Sequence, residues 1–457
     1  MVLSDYFNIN YLTDLYKKKL ANSKAKGIDK INFINFDKNL NLEINIITRK
    51  VNSGTYNFSP FIEKLKLKGR NKAPRIISIP TLRDRIVLLA LKEILHEAFP
   101  NSVNRKLPNS YIRDIKAYLN NSSGTEYFIK LDIEKFYDNI NKEILLQKLS
   151  KNNLNPDIIT LINSAICTPT VPLHTKKEAY TDFILGKGVP QGLSISNILA
   201  QIYLDDVDKV INRRNYFYTR YVDDIIILNH EIISEYRFKN IETALNQVQL
   251  NLNHDKTEKN FLNQGLTFLS YKITSNNISI AEANVELFIR RIAGKFTWFK
   301  NGMINKKNRP FWLQDDERFK EVFIEELNET ITGIISISRN YGWLFYFSEM
   351  TDESLLHKID KIISGFFNSL KQFNNTRPNS LKKISRAFKV IKFEKSKNYI
   401  SNYDNFDSVR RKRNYLLFRG EIDPEVNFTD LQIEYYFERF RNKQIMKVEQ
   451  DIGYNYN

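Results

Sequence analysis

Apolar positions change their period several times along the chain, and each change marks an element. Residues 64–67 and 75–79 alternate apolar and polar side chains around the turn-prone Lys68-Gly69-Arg70-Asn71, which predicts a short hairpin. Pro80 and Thr81 close its second strand, and residues 82–99 then take the spacing of an amphipathic helix. Helical spacing also precedes the hairpin. Two short apolar runs, 127–133 and 220–228, read as strands that lead into carboxylates. Between them, residues 193–211 are helical in period and follow a loop spanning Gly186 to Gly192. Residues 266–273 and 278–281 predict a late hairpin around Asn276-Asn277. Beyond it the pattern is helical, with aromatic and basic side chains interleaved, and Trp298, Trp312 and Trp343 all lie there. Boundaries are expected near 285 and near 375. No repeat of 20–50 residues is present, so a solenoid or propeller is not expected.

Composition narrows the partners. The 457 residues suffice for two or three domains, and 69 Lys and Arg against 52 Asp and Glu leave a net charge of +17. That excess suits a polyanion, although a chain rich in Lys, Asn and Ile owes part of it to codon bias. Charge alone does not decide. Cys167 is the single cysteine, which excludes an intrachain disulfide or a multi-cysteine zinc site and fits a reducing cytoplasm. The first dozen residues lack the layout of a secretory signal, and the longest apolar runs, such as 86–91, are too short to span a bilayer. No two of the five histidines stand at metal-ligand spacing.

The carboxylates carry the chemistry. Asp132 ends the first apolar strand, and Asp223-Asp224 sits at the turn of a Tyr-Val-Asp-Asp-Ile-Ile-Ile-Leu hairpin. Adjacent acids repel and raise one another's pKa unless a cation lies between them. Hard oxygen ligands converging from neighbouring strands are what two divalent ions about 4 Å apart require for nucleotidyl transfer. By itself the Asp-Asp pair also reads as a polar turn, which chance supplies readily.

Three boxes in order remove that ambiguity. Tyr221-Val222-Asp223-Asp224, preceded by Arg220, resembles the catalytic box of reverse transcriptases. The run from Phe128 through Asp132 to Tyr137-Asp138 resembles their first catalytic strand, and Gly188-Val189-Pro190-Gln191-Gly192 their Pro-Gln-Gly loop. Further segments resemble the bacterial group II intron-like, retron and abortive-infection lineage. These are Gly27-Ile28-Asp29, Pro74-Arg75 through Pro80-Thr81 with Asp84-Arg85, Leu252-Asn253-His254-Asp255-Lys256-Thr257 and Phe268-Leu269-Ser270-Tyr271. In the last of these, Ser270 stands where the lineage usually has Gly. The resemblance covers residues 27–273.

It implies an α+β right-hand polymerase. Fingers and palm would span 1–285, a helical thumb 286–375 and a basic helical extension 376–457. It also implies an RNA-directed DNA polymerase with two Mg²⁺ ions, or Mn²⁺, held by Asp132, Asp223, Asp224 and the backbone at Ile133. Arg75 is expected on the incoming triphosphate, where a guanidinium matches phosphate oxygens, with Lys68 assisting from the hairpin tip in competition with Lys66, Arg70 and Lys72. Gln191 is expected beside the base. Tyr137 takes the steric-gate position that selects deoxynucleotides, with core packing as its plain alternative. Lys256 is expected to protonate pyrophosphate, with a solvated lysine as its plain alternative, and Phe268, Leu269 and Tyr271 to form the primer grip.

The later residues carry less. Arg290 and Arg291 lie on an expected helix over 285–299 that suits a template–primer duplex. Leu381, Ile384, Phe388 and Ile391 share one helical face, while Lys382, Lys383, Arg386 and Lys389 cover the rest. With Arg410-Arg411-Lys412-Arg413 they form a basic surface suited to RNA phosphates, a solvated charged face being the alternative. Tyr454 or Tyr456 offers a hydroxyl for protein priming, against the default of a disordered end. No nuclease-like segment is visible after 375, and the retron Asn-Ala-x-x-His and Val-Thr-Gly boxes are missing. The expected role is therefore a stand-alone, cytoplasmic, defence-associated enzyme that copies RNA into DNA from deoxynucleoside triphosphates, served by a cognate non-coding RNA and no membrane. A retron-type or intron-derived enzyme, or an RNA-binding maturase-like scaffold, is the alternative.

Overall fold

The computed structural model describes residues 2–20, 25–67, 73–103, 106–121, 126–152, 154–212, 216–394 and 397–450. Lys68, Arg70, Lys72, Tyr454 and Tyr456 lie outside the described residues. The fold is α+β and forms two compact units, Met1–Lys106 with Tyr127–Asn260, and Leu107–Glu126 with Phe261–Asn457. The division falls at Asn260 and Phe261, and the second unit also takes in the helix Pro108–Leu119.

In the first unit, strands Phe217–Tyr221, Asp224–Asn229, Tyr127–Asp132 and Glu258–Phe261 form a four-stranded sheet in that order. Ile225, Ile226, Ile227 and Leu228 are fully buried. This is why the run is continuously apolar instead of alternating: a strand covered on both faces has no polar side. Helix Ser196–Asn212 is nearly as enclosed, with Ile198, Leu199, Ile202, Tyr203 and Leu204 in the core.

The hairpin of Phe61–Lys66 and Arg75–Ile79 forms as expected, antiparallel, with Lys66 opposite Arg75. Helix Leu82–Ala98 forms as expected with a wide apolar face: Ile86, Val87, Leu88, Ala90, Leu91, Ile94 and Leu95 are buried, while Arg85, Lys92, Glu93, His96 and Glu97 lie on the less enclosed side. Its start is fastened by Thr81, which accepts from the Asp84 amide. The buried Asp84 carboxylate in turn accepts from the Thr81 and Tyr56 hydroxyls, each at 2.7 Å.

The second unit is mainly helical. Helix Glu282–Ile304 extends the expected 285–299 segment at both ends. It packs with Asp316–Thr332 and Glu353–Phe367 around stacked aromatics. Phe288 stacks on Trp343 at 4.3 Å, and Phe299 on Phe323 at 4.3 Å. Trp343 in the Asn-Tyr-Gly-Trp segment is therefore a core residue. The late hairpin is one half of a three-stranded sheet of Leu266–Phe268, Tyr271–Ile273 and Ile278–Ile280. Helices Ile384–Phe393, Val409–Arg419 and Asp430–Glu449 complete the unit, the last opened by a Thr429–Gln432 capping box.

A buried ionic cluster joins these helices. The Glu329 carboxylate accepts from Tyr403 Oη at 2.6 Å, Arg419 Nη1 at 3.0 Å and Tyr415 Oη at 3.1 Å. Glu329 and Arg419 are 2% and 3% exposed, so removing one partner strands a buried charge. Glu329→Ala is expected to destabilise this unit by about 3 kcal/mol, read as a lower urea midpoint. An unchanged midpoint would contradict the assignment.

Candidate active site and basic surfaces

Strand register assembles the acidic centre. Tyr127–Asp132 and Asp224–Asn229 pair antiparallel so that Asp132 lies directly opposite Asp224. Tyr221 pairs with Asp224 across the adjoining hairpin, which leaves Val222 and Asp223 as a two-residue turn. Val222 has φ +57°, a left-handed conformation costly for a β-branched residue. The geometry is maintained from below. Arg220 donates through Nη1 to the Val222 carbonyl at 2.7 Å, through Nε to Asp208 at 2.7 Å and through Nη2 to Gln201 at 2.8 Å. Tyr218 donates its hydroxyl to the same Asp208. Burial opposes the Arg220 charge, but Asp208 more than compensates and its pKa rises.

The carboxylates are partly withdrawn from water, and this shapes their protonation. Burial raises the Asp223 pKa, and the negative charge of Asp132 adds to it while Arg75 and Lys256 oppose it. Burial followed by the charge of Asp223 pushes Asp224 up to about 6, with Lys130 opposing. Asp132 is ion-paired: Lys256 Nζ lies 2.8 Å from Oδ2, and Asn253 Nδ2 donates to the same oxygen at 3.3 Å. The Asn253 amide also donates to the Asp132 carbonyl at 2.8 Å. Ile133 follows in an isolated bridge to Leu252. Among the described residues no group of three His, Cys, Asp or Glu side chains is already set at ligating geometry. The donors nonetheless fit a divalent cation. They are hard oxygens on adjoining strand positions, and two of them are desolvated beside like charge, which a cation relieves.

Other expected residues gather here. Arg75 begins its strand exposed, and its charge reaches Asp223 and Tyr137. Tyr137 packs on Phe136 at 5.4 Å, and burial followed by the charge of Asp223 pushes its hydroxyl up to about 12. Gln191 donates to Asp138 at 3.3 Å, and its carbonyl accepts from the Ser78 amide at 2.7 Å. The Gly188 amide donates to the Ile140 carbonyl and the Val189 amide to that of Tyr137, each at 2.8 Å. Gly188 and Gly192 have φ +93° and +104°. A Cβ on Gly188 would lie 2.9 Å from the Asp138 carbonyl, and one on Gly192 2.7 Å from Ile77 Cγ2. The Pro-Gln-Gly loop is thus stitched between the Tyr137 segment and the strand bearing Arg75, and the close approaches are to the protein's own chain.

In the second unit Phe268, Leu269 and Tyr271 are buried. Leu269 and Ser270 form a two-residue turn, both at positive φ, and the Leu269 carbonyl accepts from Tyr346 Oη at 3.1 Å. That backbone explains why glycine suits the Ser270 position. Arg290 is exposed and paired with Glu286 at 2.9 Å, whereas Arg291 is half-buried and donates to the Lys447 carbonyl at 3.2 Å.

The basic helix forms only from Ile384 to Phe393, so Leu381, Lys382 and Lys383 precede it; Leu381, Ile384 and Phe388 are buried and Lys383, Arg386 and Lys389 exposed. Lys382 differs from its neighbours: it is half-buried, and burial lowers its pKa against the pull of Glu325 and Glu329. In the 410–413 run, Arg411 pairs with Asp407, Lys412 with Glu434 at 2.6 Å, and Arg413 donates to Asn427. Three of its four charges therefore have local partners.

Four supports escaped sequence reasoning. Arg220 carried no role beyond standing before the box, although a charged residue inside a strand was the available signal. Asn253 lay within a quoted segment but without a task. Asp208 and Gln201 gave no signal, because only folding brings their helix beneath the turn.

Residues 63–273 match the family model described as reverse transcriptase (RNA-dependent DNA polymerase). The chain carries a reverse transcriptase domain. This domain and the named relatives support an RNA-directed DNA polymerase, and the relatives include bacterial retron and group II intron proteins. Protein YkfC of Escherichia coli K12 is 24% identical over 308 residues, covering 57% of this chain and 78% of that protein. The retron Ec83 reverse transcriptase of Escherichia coli is 25% identical over 174 residues, with 36% and 52% covered. The group II intron-encoded protein LtrA of Lactococcus lactis is 24% identical over 212 residues, with 45% and 33% covered. The chain thus spans about half of the retron enzyme and a third of the intron protein. Among solved structures, telomerase from Candida albicans in complex with a fragment of telomeric RNA has a TM-score of 0.40 at 13% identity, with 77% and 64% covered. Asp132, Asp223 and Asp224 all lie within the matched residues 63–273. No helix among the described residues is long and apolar enough to cross a membrane.

A carboxyl whose folded-state pKa is raised costs stability above that value and nothing below its unfolded value. The metal-free domain should therefore lose stability as pH rises through about 6. Asp224→Asn should flatten that loss and be more stable at pH 8 by about 2 kcal/mol, measured by denaturation in EDTA. A divalent cation should raise the melting temperature of the parent protein more than that of the variant. Equal pH dependence of the two proteins would refute this reading.

Proposed function

We propose that the protein copies RNA into DNA with Asp132, Asp223 and Asp224 as its metal-binding carboxylates. The observation that carries the proposal is the strand register that sets Asp132 against Asp224 at the base of the Val222-Asp223 turn. When bound there, two Mg²⁺ ions would activate the primer hydroxyl and steady the triphosphate and its leaving group. The Ile133 backbone would complete the ligand set. Arg75 would bind triphosphate oxygens, supported by its charge already reaching Asp223. Lys256 would leave Asp132 to meet pyrophosphate, with Lys68 a second candidate cation. Arg220 acts through the turn as a positioning residue.

Tyr137 would exclude a ribose 2′-hydroxyl, and Gln191 would sit by the base, braced by the loop that links it to Ser78. Phe268, Leu269 and Tyr271 would form the core of a primer-grip turn. Residues 1–285 would serve as fingers and palm, 286–375 as thumb and 376–457 as extension. Exposed Arg290, Lys383, Arg386 and Lys389, with Arg291 and Lys382 at their margins, would meet nucleic-acid phosphates. We favour a cytoplasmic role in antiphage defence with a dedicated non-coding RNA, on the ground that residues 1–457 carry neither retron box. The matches to retron and intron proteins favour a retroelement role as the second reading.

Purified protein given primed RNA, Mg²⁺ and deoxynucleoside triphosphates should extend the primer. Asp223→Asn/Asp224→Asn should reduce extension at least 10³-fold, on the order expected for loss of metal-bound charge stabilisation. No extension by the parent protein, or equal extension by the variant, would end the proposal. Tyr137→Ala should shift selection toward ribonucleotides by roughly tenfold or more, about 1.4 kcal/mol of discrimination. An unchanged ratio in competition assays would leave Tyr137 with packing alone.

A further inference from the structure

The second unit holds a cavity of about 410 Å³ on the face of helix Glu282–Ile304, and of the residues given a role above only Arg291 lines it. Its described lining contains five basic side chains, Arg291, Lys295, Arg419, Lys443 and Lys447, against two carboxylates, Glu326 and Glu421. Glu326 alone accepts from Lys295 at 2.7 Å, from Lys447 at 3.1 Å and from Arg419. Arg419 also reaches Glu329, and Lys443 pairs with Glu421 at 3.0 Å. With Glu329 counted, five basic side chains face three carboxylates, and Lys443 and Lys447, whose side chains are 54% and 42% exposed, turn the excess positive charge toward the open volume. Burial lowers the pKa of Lys447 against the pull of Glu326, and the Lys295 charge adds to the lowering. Trp298, Pro310 and Val322 add an apolar wall.

We propose that this cavity is a second anion site, which takes the phosphate groups of a nucleotide-sized ligand. Its volume lies in the range of small-ligand pockets, roughly 300–1,000 Å³. Lysine and arginine donors converging on one recess suit a multiply charged phosphate, and the Trp298 wall suits the base or sugar. A duplex backbone would instead ride over exposed charge such as Arg290. Two sources present the same chemistry, a free nucleoside triphosphate and the phosphorylated 5′ end of a strand. Gly294 gives a clean way to close the site. It lines the cavity, and a Cβ built on it meets nothing within 4 Å.

The test is calorimetric titration of the full chain in EDTA, which silences metal-dependent binding at the acidic centre. The probes are sodium triphosphate, dATP, and one short oligonucleotide with and without a 5′-phosphate. The parent protein should bind at least one phosphate probe saturably. Gly294→Phe and Lys443→Ala should each weaken that binding at least tenfold while melting at the parent temperature. Tight dATP binding with no preference between the oligonucleotides identifies the free nucleotide as the ligand. A preference for the 5′-phosphorylated strand identifies the strand end. Absence of saturable binding by every probe, or parent-like affinity in both folded variants, overturns the proposal.

Discussion

Crowding of negative charge in a half-dry corner is the constraint on which the first unit is organised. Asp132, Asp223 and Asp224 sit where two strands and a turn meet, and burial makes their mutual repulsion more expensive than it would be in water. The surroundings answer that cost. Lys256 pairs with Asp132, Lys130 moderates Asp224, and the charge of Arg75 reaches Asp223. Beneath the turn, Arg220 spends its guanidinium on Asp208, Gln201 and the Val222 carbonyl. A backbone conformation unfavourable to valine persists because these bonds over-determine it. Strain and repulsion at such a place are expected of a binding site, where stability is exchanged for readiness to hold a cation.

The Pro-Gln-Gly loop shows how one centre recruits distant segments. Its backbone bonds both the Tyr137–Ile140 segment and the Ser78 region, so the gate position, Gln191 and the Arg75 strand move as one block. Both glycines are dictated by that stitching. The second unit uses a different device, a dense aromatic core and a buried Glu329–Arg419 pair that draws helix Val409–Arg419 onto Asp316–Thr332. Positive charge there is not spread evenly. Lys412 and Arg413 are engaged locally, while Lys295, Lys443 and Lys447 surround a recess.

Much of the site was legible in the sequence because its parts are local strings. Asp132 before Tyr137, Gly188 to Gly192 and Tyr221 to Asp224 each occupy a single turn or strand end. Backbone geometry ties the residues of such a string to one another whatever surrounds them. Hairpin 61–79 and the basic helix were legible for a similar reason, their periods being those of exposed elements. Helix Leu82–Ala98 was legible as amphipathic, but a sequence window cannot tell how wide a face the rest of the chain will cover.

The chain's own order of residues determined the reverse transcriptase domain, its three carboxylates and the helical, basic character of the later part. Tertiary structure alone decided the rest. It chose Asp208 and Gln201 as partners of Arg220, paired Lys256 with Asp132, placed Trp343 in a core, and gathered Lys295, Lys443 and Lys447 around one recess with Arg419. Those contacts join residues far apart in sequence, and no local pattern encodes them. They follow from how buried surfaces and charges are shared once the elements pack.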